Sequence, residues 1–141
     1  MTHPIYSCLW FDGNAREAAI FYSTVFSDAK ILHESPMVVM FELNGTKFMG
    51  LNGGPHFKFS EAISMVVNCD TQEEIDHYWE KLTADGGKES RCGWLKDKFG
   101  LSWQIIPSMM AQFMSSPEKA KRVMDVVMTL NKLDIEKMRN A

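Results

Sequence analysis

The sequence predicts an α+β fold made of two βαβββ modules followed by C-terminal helices. Three observations carry that reading. Sliding the first half by 57 residues lays Asn14 on Thr71, Glu17 on Glu74, Phe21 on Tyr78, Tyr22 on Trp79 and Val25 on Leu82, so that helix starts and buried faces coincide together. Each of these helical stretches is flanked by strand-like runs in the same order. After Pro107 the pattern ends, and two helix-like stretches follow that lie outside the repeat.

Taken in order, Ile5 to Phe11 is apolar and aromatic and reads as a strand. Asn14 with Glu17 three residues later forms a capping-box pattern, and Ala18, Phe21, Tyr22 and Val25 follow at i, i+3, i+4 and i+7. That spacing puts them on one buried helical face. Lys30 to His33, Met37 to Leu43 and Thr46 to Leu51 read as three strands. Asn44-Gly45 joins the last two as a two-residue hairpin, because a type I′ turn needs positive φ at both positions.

The second module begins with a strand over Ile63 to Cys69 and a capping box of Thr71 and Glu74. Ile75, Tyr78, Trp79 and Leu82 form the helical face, and Asp85-Gly86-Gly87 stops it. Strands are expected over Glu89 to Trp94 and Ser102 to Ile106. In the tail, Ser115-Ser116-Pro117-Glu118 is a helix start, Val123, Val126, Val127 and Leu130 give an apolar face, and Leu133 to Arg139 forms a second short helix. The modules cover about residues 4–54 and 61–107, and the tail about 108–141, within a single domain.

Composition narrows the function classes. At 141 residues the chain is long enough for one domain with a real core. Hydrophobic residues at 45% and charged residues at 23% are ordinary globular usage. A net charge of −3 offers no basic footprint, which argues against nucleic acid and anionic membrane surfaces as partners. No apolar run approaches the ~18 residues that span a bilayer. The start of the chain shows no basic, apolar leader. Cys8, Cys69 and Cys92 are odd in number and far apart, so neither a disulfide framework nor a structural zinc site is expected. Cys8 and Cys69 read as small buried hydrophobes, and the expected location is the cytoplasm.

Several runs narrow the reading further: Leu51-Asn52-Gly53-Gly54-Pro55, Ser60-Glu61-Ala62, Cys92-Gly93-Trp94, Asp97-Lys98-Phe99-Gly100 and Ser102-Trp103-Gln104-Ile105. With the repeat, they resemble the PhnB-like group of the glyoxalase/bleomycin-resistance (vicinal-oxygen-chelate) superfamily. Many members of that group carry the family name 3-demethylubiquinone-9 3-methyltransferase. The resemblance implies two modules forming half-barrels around a cavity, and commonly a homodimer. Relative to the group, the chain is short between Ile31 and Phe41.

Metal-dependent members of the superfamily place four ligands, one on the first and one on the last strand of each module. The resemblance carries those positions onto Ser7 and Ser64, and onto Met49 and Gln104, with Tyr6 in place of Ser7 if the first-strand register moves by one. Hard cations want carboxylates, and zinc or nickel wants imidazole or thiolate. Among these residues only Gln104 is a respectable ligand, so no metal and no cofactor are expected. His3, His33, His56 and His77 are expected to face solvent, and Glu34, Glu42 and Glu61 to be exposed. Cys92, beside Arg91 and Lys96, is the thiol most open to activation.

The cavity candidates are therefore Ser7, Met49, Ser64, Trp103 and Gln104, with Trp10, Trp94 and Phe48 as further aromatic lining or plain core. The first reading is a protein that binds a small, partly apolar molecule of unassigned identity. An enzyme with a metal at Gln104 is the alternative. The methyltransferase of the family name is disfavoured, since no glycine-rich strand-to-helix turn for a nucleoside cofactor follows any strand. The tail helix carries more apolar surface than one stripe needs (Val123, Met124, Val126, Val127, Met128), and a tail-covered homodimer contact is expected.

Overall fold

Alternation sets the first strand. In a computed structural model that describes residues 2–141, β1 spans Ser7–Phe11, with Leu9 and Phe11 buried. It starts two residues later than the apolar run suggests, with Ile5 fully exposed and Tyr6 42% exposed ahead of it. Cys8 is also exposed, which corrects its reading as a buried hydrophobe. Cys69 is buried as expected.

Helix α1 (Ala15–Val25) follows. Its start corrects the expected capping box: Asn14 makes no side-chain cap, and the first free N–H, that of Ala15, donates to Asn52 Oδ1 at 2.9 Å. The amide of Asn52 in turn donates to the Pro36 carbonyl at 3.0 Å. The helix is therefore capped from the last strand of its own module rather than by its neighbour in sequence. Three strands complete the module: β2 (Ala29–Glu34), β3 (Val38–Leu43) and β4 (Thr46–Asn52). The short β2–β3 connection is closed by Ser35, whose N–H donates to the Val38 carbonyl at 2.8 Å. Asn44 and Gly45 take φ of 49° and 85°, the left-handed pair that the two-residue hairpin demands.

The sheet order is β1-β4-β3-β2, with β1 and β4 parallel and the other pairs antiparallel. One face carries Leu9, Phe11, Val39, Phe41, Leu43 and Phe48, all buried, and α1 contributes Ala15, Ala18, Ala19, Tyr22 and Val25 to the same core. Tyr22 stacks on Phe41 and Phe41 on Phe48, with ring centroids 6.1 and 5.5 Å apart. Gly50 lets helix and sheet approach: a Cβ there would lie 3.1 Å from that of Ala15.

The second module repeats the plan. β5 (Met65–Cys69), α2 (Gln72–Thr83), β6 (Lys88–Glu89), β7 (Trp94–Lys96) and β8 (Ser102–Pro107) form a sheet of order β5-β8-β7-β6. Here the capping box forms, with Thr71 Oγ1 accepting from the Glu74 N–H at 3.2 Å. Ile75, Trp79 and Leu82 are buried as the periodicity requires. The strand expected over Glu89 to Trp94 is instead two strands with a turn between them. Cys92 and Gly93 take φ of 61° and 84° and reverse the chain there.

The tail adds α3 (Met110–Phe113), which the sequence reading did not contain, then α4 (Pro117–Val127) and α5 (Ile135–Arg139). Ser116 and Asp134 cap the last two, accepting from the N–H groups of Lys119 and Lys137. Phe113, Val123, Val127, Leu133, Ile135 and Met138 are all buried. The Cys92 and Gly93 N–H groups donate to the carbonyls of Leu130 and Asn131, both at 2.8 Å. Gln72 on α2 binds the Leu133 carbonyl and the Ile135 N–H through its two amide atoms. The tail thus belongs to the second module's core. The chain accordingly divides into two units, one ending at Phe59 and the other spanning Ser60–Ala141. Among the described residues no helix is long and apolar enough to cross a membrane.

Candidate functional site

Strand pairing decides which side chains share a face. In the second unit Met65, Val67 and Cys69 pair with Trp103, Ile105 and Pro107, and Leu95 pairs with Trp103. These residues lie on the face that α2 covers. The opposite, open face carries the intervening positions: Val66 pairs with Gln104, Trp94 with Gln104, and Lys96 with both Ser102 and Lys88. One step beyond the ladder, Ser64 continues the Ser102 row. Lys88, Lys96, Ser102 and Ser64 therefore run across the sheet as a line of hydrogen-bond donors.

Two of the sequence candidates meet on this face. Gln104 Nε2 donates to Ser64 Oγ at 2.9 Å, and both side chains are half-buried. Trp103 does not join them. It is 3% exposed on the helix-covered face, and its indole N–H donates to Asp97 Oδ2 at 2.9 Å. Asp97 Oδ1 accepts from the N–H groups of Phe99 and Leu101 at 2.9 and 3.1 Å. The Asp97-Lys98-Phe99-Gly100 run thus builds the tight turn into β8, with a buried carboxylate at its centre.

Beside Gln104 lies a cleft of about 240 Å³, lined by residues that include Lys88, Ser90, Trp94, Lys96, Ser102 and Glu61. Glu61, in a turn ahead of β5, is ion-paired with Lys96, and that hydrogen bond holds its carboxyl below the usual carboxylate range. Ser102 is 1% exposed, and its hydroxyl finds no hydrogen-bond partner among the described residues. A buried polar atom left so costs on the order of 1–3 kcal/mol. Ser102 and Lys88 were missed in the sequence reading. The available signal was alternation: two residues before Gln104 on one strand is the same face.

In the first unit Met49 pairs with Cys8, and Ser7 with Phe48. Phe48 is buried on the helix side, so Ser7 and Met49 stand on opposite faces of their sheet and are not brought together. Tyr6, the alternative register, falls by alternation on the face of Cys8 and Met49. Lys47 Nζ lies 5.4 Å from the Tyr6 ring centroid. Trp10 shares that face, its indole N–H donating to the Gly54 carbonyl at 2.8 Å and its ring meeting Phe57 edge-on.

The donor chemistry does not fit the superfamily's metal. In the second unit the ligand positions offer a hydroxyl and an amide already bonded to each other, and in the first a thioether with a phenol or hydroxyl. Neither set contains an imidazole or carboxylate. Among the described residues no three His, Cys, Asp or Glu side chains gather to hold a metal ion. All four histidines are exposed. Cys69 is fully buried, and burial, followed by the charges of Glu74 and Asp70, pushes its thiol up to about 12. Cys92 is half-buried with its Sγ 3.7 Å from Met128 Sδ, and Lys96, expected to activate it, is engaged by Glu61.

Comparison with known proteins places this geometry. The family described as 3-demethylubiquinone-9 3-methyltransferase matches residues 3–106. The structure of the PhnB protein from Bacillus cereus is 32% identical and superposes with a TM-score of 0.68, covering 75% of this chain and all of its own. The fosfomycin resistance protein FosX from Listeria monocytogenes, complexed with Mn(II) and sulfate, shares 13% identity at a TM-score of 0.63 over 82% of this chain and 97% of FosX. A glyoxalase-related enzyme from Fulvimarina pelagi shares 16% at 0.56, over 76% and 89%. No curated protein matches the chain. Two four-stranded sheets of one topology, each with a helix on one face, define a protein of the glyoxalase/bleomycin-resistance (vicinal-oxygen-chelate) fold. Within it, the chain belongs to the 3-demethylubiquinone-9 3-methyltransferase family of PhnB-like proteins.

Proposed function

We propose that this protein binds a small organic molecule on the open face of β5 and β8, without a resident metal. The observation that carries the reading is the Ser64–Gln104 hydrogen bond. It fixes two polar groups next to the apolar side chains of Trp94 and Val66, with the row from Lys88 to Ser102 alongside, so that apolar wall and orienting polar groups meet as they do in small-molecule pockets. The hydroxyl and amide orient a ligand by hydrogen bonding and offer no nucleophile or strong base. The reading therefore favours binding over catalysis.

Methyl transfer, which the family description names, has no supporting element in this chain, since none of its strands runs into a glycine-rich helix start. The exposed side chains of Met124 on α4 and of Met128 at its C-terminal cap support a homodimer joined through that helix. Three free thiols support a reducing compartment such as the cytoplasm. Native mass spectrometry of freshly purified protein tests the whole reading. It should show a dimer, a retained organic ligand lost on Gln104→Ala, and no divalent metal. One metal per chain, lost on Gln104→Ala, would favour the metal-assisted enzyme instead. Tight binding of S-adenosylmethionine would restore the methyltransferase.

A further inference from the structure

Resting on that reading of the open face, we infer that the adjoining cleft is a carboxylate seat, and that the ligand is a small organic acid with a flat apolar body. Lys88, Lys96 and Ser102 cross the sheet in one paired row, and Ser64 extends it. Every side chain in that row carries a hydrogen-bond donor. Ser64 already accepts from Gln104, so its own proton is available to a ligand.

The carboxylate that meets the row comes from outside the sheet. Glu61 reaches Lys96 from its turn, so the chain already places a carboxylate at this position. Glu61 is 62% exposed and Lys96 41%, and exposed ion pairs hold weakly. Glu89, the other acid of the cleft, lies on the helix side of the strand, where it accepts the Trp79 indole N–H. Among the described residues no carboxylate pairs with Lys88. A ligand carboxylate replacing Glu61 would gain Lys96, Lys88 and the unpartnered Ser102 hydroxyl together. The volume of about 240 Å³ falls below the roughly 300–1,000 Å³ of drug-sized sites, which keeps the acid small. Trp94, in the same cleft and paired with Gln104, supplies a flat wall for its body.

Benzoate and its neutral analogue benzyl alcohol are the probes, titrated into the full chain and followed by amide and indole chemical shifts. Benzoate should move the signals of Trp94, Lys96 and Ser102, and benzyl alcohol should bind at least about tenfold more weakly. Glu61→Gln should tighten benzoate about two- to fivefold, by removing the internal competitor. Ser102→Ala should weaken benzoate while leaving the fold as stable or more so, an opposition that a purely structural serine would not produce. Equal binding of the two probes, or no gain in Glu61→Gln, overturns the carboxylate seat. If both probes shift Ser64 and Gln104 but not Ser102, the seat is wrong and the open-face site stands. If neither shifts any residue of β5 or β8, both readings fall.

Discussion

The carboxylate of Asp97 is buried against Trp103, taking its indole N–H on one oxygen and two backbone N–H groups on the other. A buried carboxylate is tolerated only while hydrogen-bond donors face its oxygens. Asp97→Ala should therefore cost at least about 3 kcal/mol in urea unfolding, and Trp103→Phe about 1–3 kcal/mol. A double-mutant cycle should show strong coupling between the two positions. Additive costs would mean that the turn holds without the pair.

Tyr22 and Trp79 occupy matching positions on α1 and α2, and both are buried. Truncating either to Ala should cost about 3–5 kcal/mol. Trp79→Ala also removes the donor to Glu89, so it should be at least as costly. A near-neutral result in denaturant unfolding at either site would mean that the helix does not anchor its sheet.

Cys69 is protonated in the folded protein well above pH 9.0, its ordinary value, up to about 12. The folded pKa is raised, so the contribution to stability is complete below pH 9 and is lost as pH climbs toward 12. Unfolding curves of the wild type should therefore fall more steeply over that window than those of Cys69→Ala. Parallel pH profiles would remove the burial argument. Labelling below pH 9 should modify Cys8 and spare Cys69.

Met124 on α4 and Met128 at its C-terminal cap are 41% and 58% exposed, while Val123 and Val127 are buried in the second unit. Deleting residues 116–141 would strip that unit's own core, so oligomeric state is better probed by point changes. Met124→Glu with Met128→Glu should convert a dimer to a monomer in light scattering without lowering stability by more than about 0.5 kcal/mol. A wild type that is monomeric at micromolar concentration ends the dimer proposal.

Periodicity alone determined the repeat. Helical spacing and strand alternation are local consequences of backbone geometry, so Tyr22, Val25, Trp79 and Leu82 were legible as core, and Asn44-Gly45 as a turn. Where a local pattern had a tertiary competitor, the structure chose. Asn52 rather than Asn14 caps α1, because its side chain reaches the helix start from a strand that ends beside it. The tail folds into its own unit through Gln72 and the Cys92–Gly93 turn, contacts between residues that lie far apart along the chain. The candidate site was legible in part. Ser64 and Gln104 fell on one face as the resemblance implied, but Trp103, one residue before Gln104, turns into the core, and Ser7 turns away from Met49. A strand's side chains alternate, and a register error of one residue reverses every assignment. Only the hydrogen-bonded pairing of β5, β7 and β8 supplies that register, and with it the row from Lys88 to Ser64.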